Sequence, residues 1–165
     1  MSRGRALVVD PGKMTGWGYL DWNTEAGTTD FTGGEMGHDA FIDWSAARLQ
    51  TGLFVAPDRP IDVIVCEGFT ITQRTAKQAT DDTQMWSVKQ IGHLETWCRW
   101  YGLPFVRQMP SDKAFDANGA KLKTLGWWTP AAGVTGEAGH RRDAARHALV
   151  YAVNHHLIDL RRLIA

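Results

Sequence analysis

Cysteine is nearly absent: Cys66 and Cys98 are the two in the chain, each inside an apolar periodic segment. That excludes a disulfide-stapled scaffold and predicts two buried free thiols in a reducing compartment. Long apolar runs are missing too. No stretch approaches the roughly 18 apolar residues that would cross a bilayer. The run Ala6-Leu7-Val8-Val9 is too short for the core of a signal peptide. A cytoplasmic protein with no membrane partner is therefore expected. Net charge is also lacking, since 18 Lys and Arg balance 18 Asp and Glu, which taken alone argues against a nucleic-acid partner.

The charge is unevenly spread, however. Residues 1–106 carry 9 basic against 13 acidic side chains, a difference of −4. Residues 107–165 carry 9 against 5, a difference of +4. An acidic half and a basic half suit a site where carboxylates hold metal while neighbouring cations hold phosphate. With 165 residues, 44% of them hydrophobic, the chain is long enough for a real core and predicts a single domain spanning 1–165.

Punctuation by glycine and proline divides the chain. Arg5 to Asp10 is a β-rich run stopped by Pro11-Gly12. Further strands are expected over Thr15 to Trp22 and Thr28 to Met36, with Gly33-Gly34 as a bulge or bend. Short turns between them imply an antiparallel meander. A helical pattern runs from His38 to about Val55, with Phe41, Trp44, Ala47 or Arg48, and Leu49 on its buried face. Ile61 to Cys66 reads as a doubly buried strand ending on Glu67. A long helix is expected from Thr75 to Tyr101, closed by Gly102 and Pro104. A fifth strand covers Leu103 to Gln108, and short helices broken at Asn118-Gly119 follow. A last helix runs from His140 to about Ile164. This order predicts an α/β fold: a mixed five-stranded sheet, antiparallel meander plus parallel strands, with helices on both faces.

Three acids stand where hydrophobic packing does not require them. Asp10 ends one apolar strand and Glu67 another, while Asp143 falls in the first turn expected of the last helix. In open α/β sheets ligands gather at the carboxyl ends of strands, so Asp10 and Glu67 meet if their strands are neighbours. Converging carboxylates repel and raise one another's pKa unless a cation binds. Hard oxygen donors point to Mg²⁺, with Mn²⁺ able to substitute, rather than zinc. A pair of such ions can activate water and stabilise the leaving oxygen of a phosphodiester. His140, three residues before Asp143 on the same helical face, can either ligate metal or handle a proton. Singly, each of these residues is equally well read as a turn or helix cap.

Val9-Asp10-Pro11-Gly12-Lys13-Met14-Thr15-Gly16-Trp17-Gly18, Val65-Cys66-Glu67-Gly68-Phe69 and His140-Arg141-Arg142-Asp143-Ala144-Ala145-Arg146-His147-Ala148 together resemble the RuvC family of Holliday-junction resolvases. The resemblance spans nearly the whole chain in element order. It implies a ribonuclease H-like fold and two-metal-ion hydrolysis of branched DNA. Asp10, Glu67, His140 and Asp143 would be its catalytic and metal-binding residues. His140 stands where many members have an acid. The resemblance also implies phosphate contacts from Lys113, Lys121 and Lys123, with Arg141 and Arg142 near the metal. Phe69, Gln73 and Arg74 would form the loop that approaches the branch point.

Eight tryptophans add a further feature. On the helix ending at Tyr101, Ile91, Leu94 and Cys98 form one stripe, and Trp86, His93, Trp97 and Trp100 a second about 100° away. A second stripe calls for a second partner: a homodimer, as in the resembled family, or a wider core contact beneath Trp127-Trp128. Rival functions on this fold are a ribonuclease H acting on RNA–DNA hybrid, a flap nuclease, and a non-catalytic module binding branched DNA. An actin-like kinase shares Asp-x-Gly on its first strand, but needs two such domains around its nucleotide.

Overall fold

The computed structural model describes residues 2–50, 60–69, 85–129 and 139–163. Strands β1 (Arg3–Asp10), β2 (Met14–Asn23) and β3 (Thr28–Gly37) form the meander, followed by helix α1 (His38–Gln50) and strand β4 (Val63–Glu67). Helix α2 (Trp86–Tyr101), strand β5 (Phe105–Gln108), a 3₁₀ helix over Pro110–Asp116 and helix α3 (Ala120–Thr124) come next. Helix α4 (Gly139–Asn154) and a 3₁₀ turn over Leu160–Leu163 complete the described chain. The sheet is five-stranded in the order β3-β2-β1-β4-β5. β1 is antiparallel to β2 and β2 to β3, whereas β1–β4 and β4–β5 are parallel. The expected mixed sheet is present.

Why β1 is central follows from its sequence. Ala6, Leu7, Val8 and Val9 are all fully buried, so both faces of the strand are covered. Alternation sorts them. Ala6 and Val8, with Val63 and Val65 of β4, join the core under α4. Leu7 and Val9, with Ile64 and Cys66, join the core under α1 and α2, where Phe41, Ile91, Leu94 and Cys98 complete it. Both cysteines are buried free thiols. Helices therefore cover both faces.

Several element boundaries differ from expectation. No bulge interrupts β3: Gly33 pairs with Gly18 and Gly34 with Trp17 in an unbroken register. Helix α4 stops at Asn154 rather than near Ile164, and His156, at φ 56°, turns the chain into the left-handed region. The described part of the long helix starts at Trp86; residues 75–84, expected to be helical, lie outside the described residues. It ends as foreseen. Gly102 takes φ 65°, and Leu103 N–H donates to the Cys98 carbonyl.

The second stripe on α2 is partly covered from within the chain. His93 Nε2 lies 3.0 Å from Ser45 Oγ of α1, and Trp86 lies against the His38 ring. Trp97 is half-buried against the α1/α2 core and stacks on Tyr101. Trp127 and Trp128 do not lie beneath this stripe, because they belong to the core on the opposite face. What remains outward is the end of the helix, with Trp100 70% and Tyr101 48% exposed.

Candidate active site

Parallel pairing of β1 with β4 places Val9 beside Cys66, so the residues that follow, Asp10 and Glu67, emerge together at the carboxyl edge of the sheet. β5 pairs Glu67 with Gln108 on the other side. Above this edge lies the start of α4. Its alanines, Ala144, Ala145 and Ala148, are fully buried and let the helix lie low on the sheet. Gly16 sets the closeness: a Cβ there would overlap the His140 carbonyl oxygen. Gly16→Ala should therefore lift the N-terminus of α4, lowering stability by about 1–3 kcal/mol. A thermal melt of the variant indistinguishable from wild type would show that the helix start can yield.

The turn after Asp10 is fixed from below. Gln90, fully buried on α2, accepts a hydrogen bond from Gly12 N–H (3.0 Å) and donates to Thr15 Oγ1 (2.6 Å). Ser87 donates to the Pro11 carbonyl. These contacts hold the Pro11-Gly12 turn in place, and with it the Asp10 carboxylate.

Three carboxylates converge on one ammonium. Lys113, from the 3₁₀ helix, places Nζ 2.8 Å from Glu67 Oε2, 3.0 Å from Asp143 Oδ2 and 3.6 Å from Asp10 Oδ1. Its neighbours hold it in the charged form: burial opposes the charge, and Asp10, Glu67 and Asp143 together outweigh burial and raise its pKa. Burial pushes the Asp10 carboxyl up to about 6, opposed by His140 and reinforced by Glu67. For Glu67 burial acts in the same upward direction, but hydrogen bonds from His147, Asp10 and Lys113 bring it down to about 2. The two acids are thus pushed in opposite directions, Asp10 up and Glu67 down.

His140 Nδ1 lies 2.9 Å from Asp10 Oδ2. That hydrogen bond raises its pKa. Asp143 is not in the first turn of α4 but one turn further in, so the helix terminus does not hold it. Lys113 and Arg146 do, the latter with Nη1 2.5 Å from Asp143 Oδ1. Arg146 is anchored in turn by the carbonyls of Asp116 and Ala117.

Neither His147 nor Gln108 stands out in the sequence as a site residue. His147 is fully buried, with Nε2 2.7 Å from Glu67 Oε2 and Nδ1 2.6 Å from Gln108 Oε1. A signal was present: His140, Asp143 and His147 fall at i, i+3 and i+7, on one helical face. Ligand atoms of Asp10, Glu67 and His147 lie within 4.8 Å of one another, a spacing a single cation can bridge.

No protein-family model and no curated protein sequence matches the chain. Solved structures do. A Thermus thermophilus RuvC in complex with a Holliday junction substrate superposes with a TM-score of 0.60 at 15% identity, over 92% of this chain and 95% of that one. A second T. thermophilus RuvC structure gives a TM-score of 0.57 at 15% identity, over 93% and 97%. The fold is RuvC-like.

Within this RuvC-like frame the other expected residues are scattered. Arg141 faces the sheet, its Nε donating to the Gly33 carbonyl and its backbone N–H to Glu35. Arg142 and Lys123 both lie over the Trp128 ring, each 4.8 Å from its centre. Lys121 lies over Phe115 and donates to its carbonyl. Phe69, 36% exposed, stands just past Glu67. Gln73 and Arg74 lie outside the described residues.

Proposed function

We propose that the chain is a divalent-metal-dependent endonuclease acting on branched DNA of the four-way-junction type, with residues 1–165 working as one domain. One observation carries the reading. Carboxylates from β1, β4 and α4 converge on one ammonium at the carboxyl edge of a RuvC-like sheet. The donor chemistry fits Mg²⁺ or Mn²⁺: hard oxygens from Asp10, Glu67 and Asp143, arranged so tightly that an ammonium already takes the place of a cation. When bound, such ions supply Lewis acidity at the scissile phosphate and at the attacking water. Asp10, Glu67 and Asp143 would hold them. His140, as a further ligand or as an acid–base group, keeps a proton between Nδ1 and Asp10 Oδ2.

Around this centre the basic side chains have a positioning task. Lys121, Lys123 and Arg142 are held over aromatic rings, which favours a fixed cationic surface for DNA phosphates. Phe69, exposed just past Glu67, would be the aromatic that stacks on an unpaired base. The exposed Trp100 and Tyr101 end of α2 is the surface on which a homodimer would form. The task we propose, on DNA, is a cytoplasmic one; among the described residues no helix is long and apolar enough to cross a membrane.

The test is incubation with a mobile four-way junction, matched duplex, a flap and an RNA–DNA hybrid, with and without Mg²⁺. Metal-dependent cleavage of the junction above the other three supports the reading. Preference for the hybrid would make the protein a ribonuclease H, and junction binding without cleavage a non-catalytic module. In the same assay Lys121→Ala and Lys123→Ala should each reduce the salt slope of junction binding by about 1.

Metal binding should also depend on pH in a stated direction. Asp10 is raised from 3.8 to about 6, so folding favours its protonated form. Its stabilising contribution is full below pH 3.8 and is lost as pH rises through 6. Divalent cations need the carboxylate, so the Mg²⁺-induced rise in melting temperature should be small at pH 5 and grow towards pH 7. An equal rise at both pH values would remove Asp10 from the metal site.

A further inference from the structure

The Glu67 side chain ends a strand and is partly open to solvent, yet one of its oxygens is tied down from inside the protein. Oε2 receives both Lys113 Nζ at 2.8 Å and His147 Nε2 at 2.7 Å. The imidazole making that second contact is fully buried in α4, and its other nitrogen meets Gln108 Oε1 at 2.6 Å. Gln108 is itself buried and is the register neighbour of Glu67 in β5. The Gly68 N–H donates to the Gln108 carbonyl, closing the same loop through the backbone. A helix residue thus clamps the ends of two adjacent strands.

We propose that His147 is a positioning residue: through Nε2 it fixes which oxygen of Glu67 faces the carboxylate cluster, and through Nδ1 it is itself fixed by Gln108. The inference rests on the metal reading above and deepens it. Direct ligation is the competing role, since a nitrogen of His147 lies within 4.8 Å of ligand atoms on Asp10 and Glu67. The hydrogen bonding favours positioning. A ligating nitrogen turns its lone pair to the ion, whereas Nε2 at 2.7 Å from a carboxylate oxygen uses its N–H. Nδ1 is satisfied whichever end of the Gln108 amide faces it, because a half-turn exchanges the amide oxygen and nitrogen. Both ring nitrogens are therefore occupied by protein groups, and the ring has no exposed surface.

The test is Mn²⁺ titration by calorimetry of wild type, His147→Gln and His147→Leu, with folding checked by circular dichroism. Glutamine keeps an N–H donor near the place of Nε2; leucine keeps only bulk. Positioning predicts that His147→Leu loses about 10–100-fold in Mn²⁺ affinity while His147→Gln recovers most of it. Equal losses in the two variants would overturn the inference. Pulsed EPR of bound Mn²⁺ in a His140→Ala background gives a readout that needs no leucine variant, should that variant fail to fold. The absence of coupling to a directly bound imidazole nitrogen supports positioning, and a coupling abolished by adding His147→Gln makes His147 a ligand instead. Failure of the wild type to bind Mn²⁺ at all would overturn the metal reading itself, an outcome distinct from either of these.

Discussion

Asp10→Asn, Glu67→Gln and Asp143→Asn are each expected to lower Mg²⁺-dependent junction cleavage by at least about 10³-fold, equivalent to about 4 kcal/mol of barrier. Junction affinity measured in Ca²⁺ should stay within about threefold, since the looser coordination of that ion supports binding without orienting the reacting water. The amides are near-isosteric, so the loss is one of charge rather than shape. Stability without metal should separate the variants. Asp10 is buried and its carboxyl already pushed up to about 6, so above that pH the amide relieves an unfavourable charge and the melting temperature should hold or rise. Glu67 is the opposite case. Despite burial, its carboxylate is held down to about 2 through His147, Asp10 and Lys113, so Glu67→Gln should lower the melting temperature. Full cleavage activity in any one variant would remove that residue from the centre. Loss of junction affinity in all three would mean that the acids serve folding rather than chemistry.

The sheet and the acids at its edge were readable from residues alone because local signals determine them. Ala6 to Val9 is an uninterrupted apolar run, a pattern that fits a strand covered on both faces, and Pro11-Gly12 ends it. Glu67 could be located for the same reason, and parallel neighbours then bring the two acids together. Contacts between distant segments left weaker traces. Gln90 lies 78 residues from Gly12, whose N–H it accepts, and nothing near either residue encodes that bond. The second stripe of α2 has the periodicity of an interface, but periodicity does not name the partner, and α1 covers part of it through Ser45 and His38. The end of α4 at Asn154 was equally hidden, because no glycine or proline marks it in 155–159.

Lys113 shows what charge counting misses, and its replacement should give the second large effect. As one of several lysines in a basic half, it reads as a phosphate contact on the surface. Its ammonium instead sits among three carboxylates, with 24% of the side chain exposed. Lys113→Met keeps the stem and removes the charge. Without metal, Asp143 keeps Arg146, Asp10 keeps His140 and Glu67 keeps His147, but the three acids lose the one ammonium that they share, and stability should fall by about 1–3 kcal/mol. With metal the sign reverses. Two unit charges about 4 Å apart repel by about 4 kcal/mol at an effective dielectric of 20. The flexible lysine escapes part of that repulsion by swinging outward, so a gain of about 10-fold in Mn²⁺ affinity is expected, or about 1.4 kcal/mol. Calorimetric Mn²⁺ titration and melts with and without EDTA measure both halves. The variant should be less stable than wild type in EDTA and close most of that gap in saturating Mn²⁺. Weaker Mn²⁺ binding would mean that the ammonium assists the cation site rather than competing for it. Junction affinity in Ca²⁺ then locates the displaced group: a loss in Lys113→Met puts the ammonium on a phosphate once metal is bound, and no change keeps it among the acids.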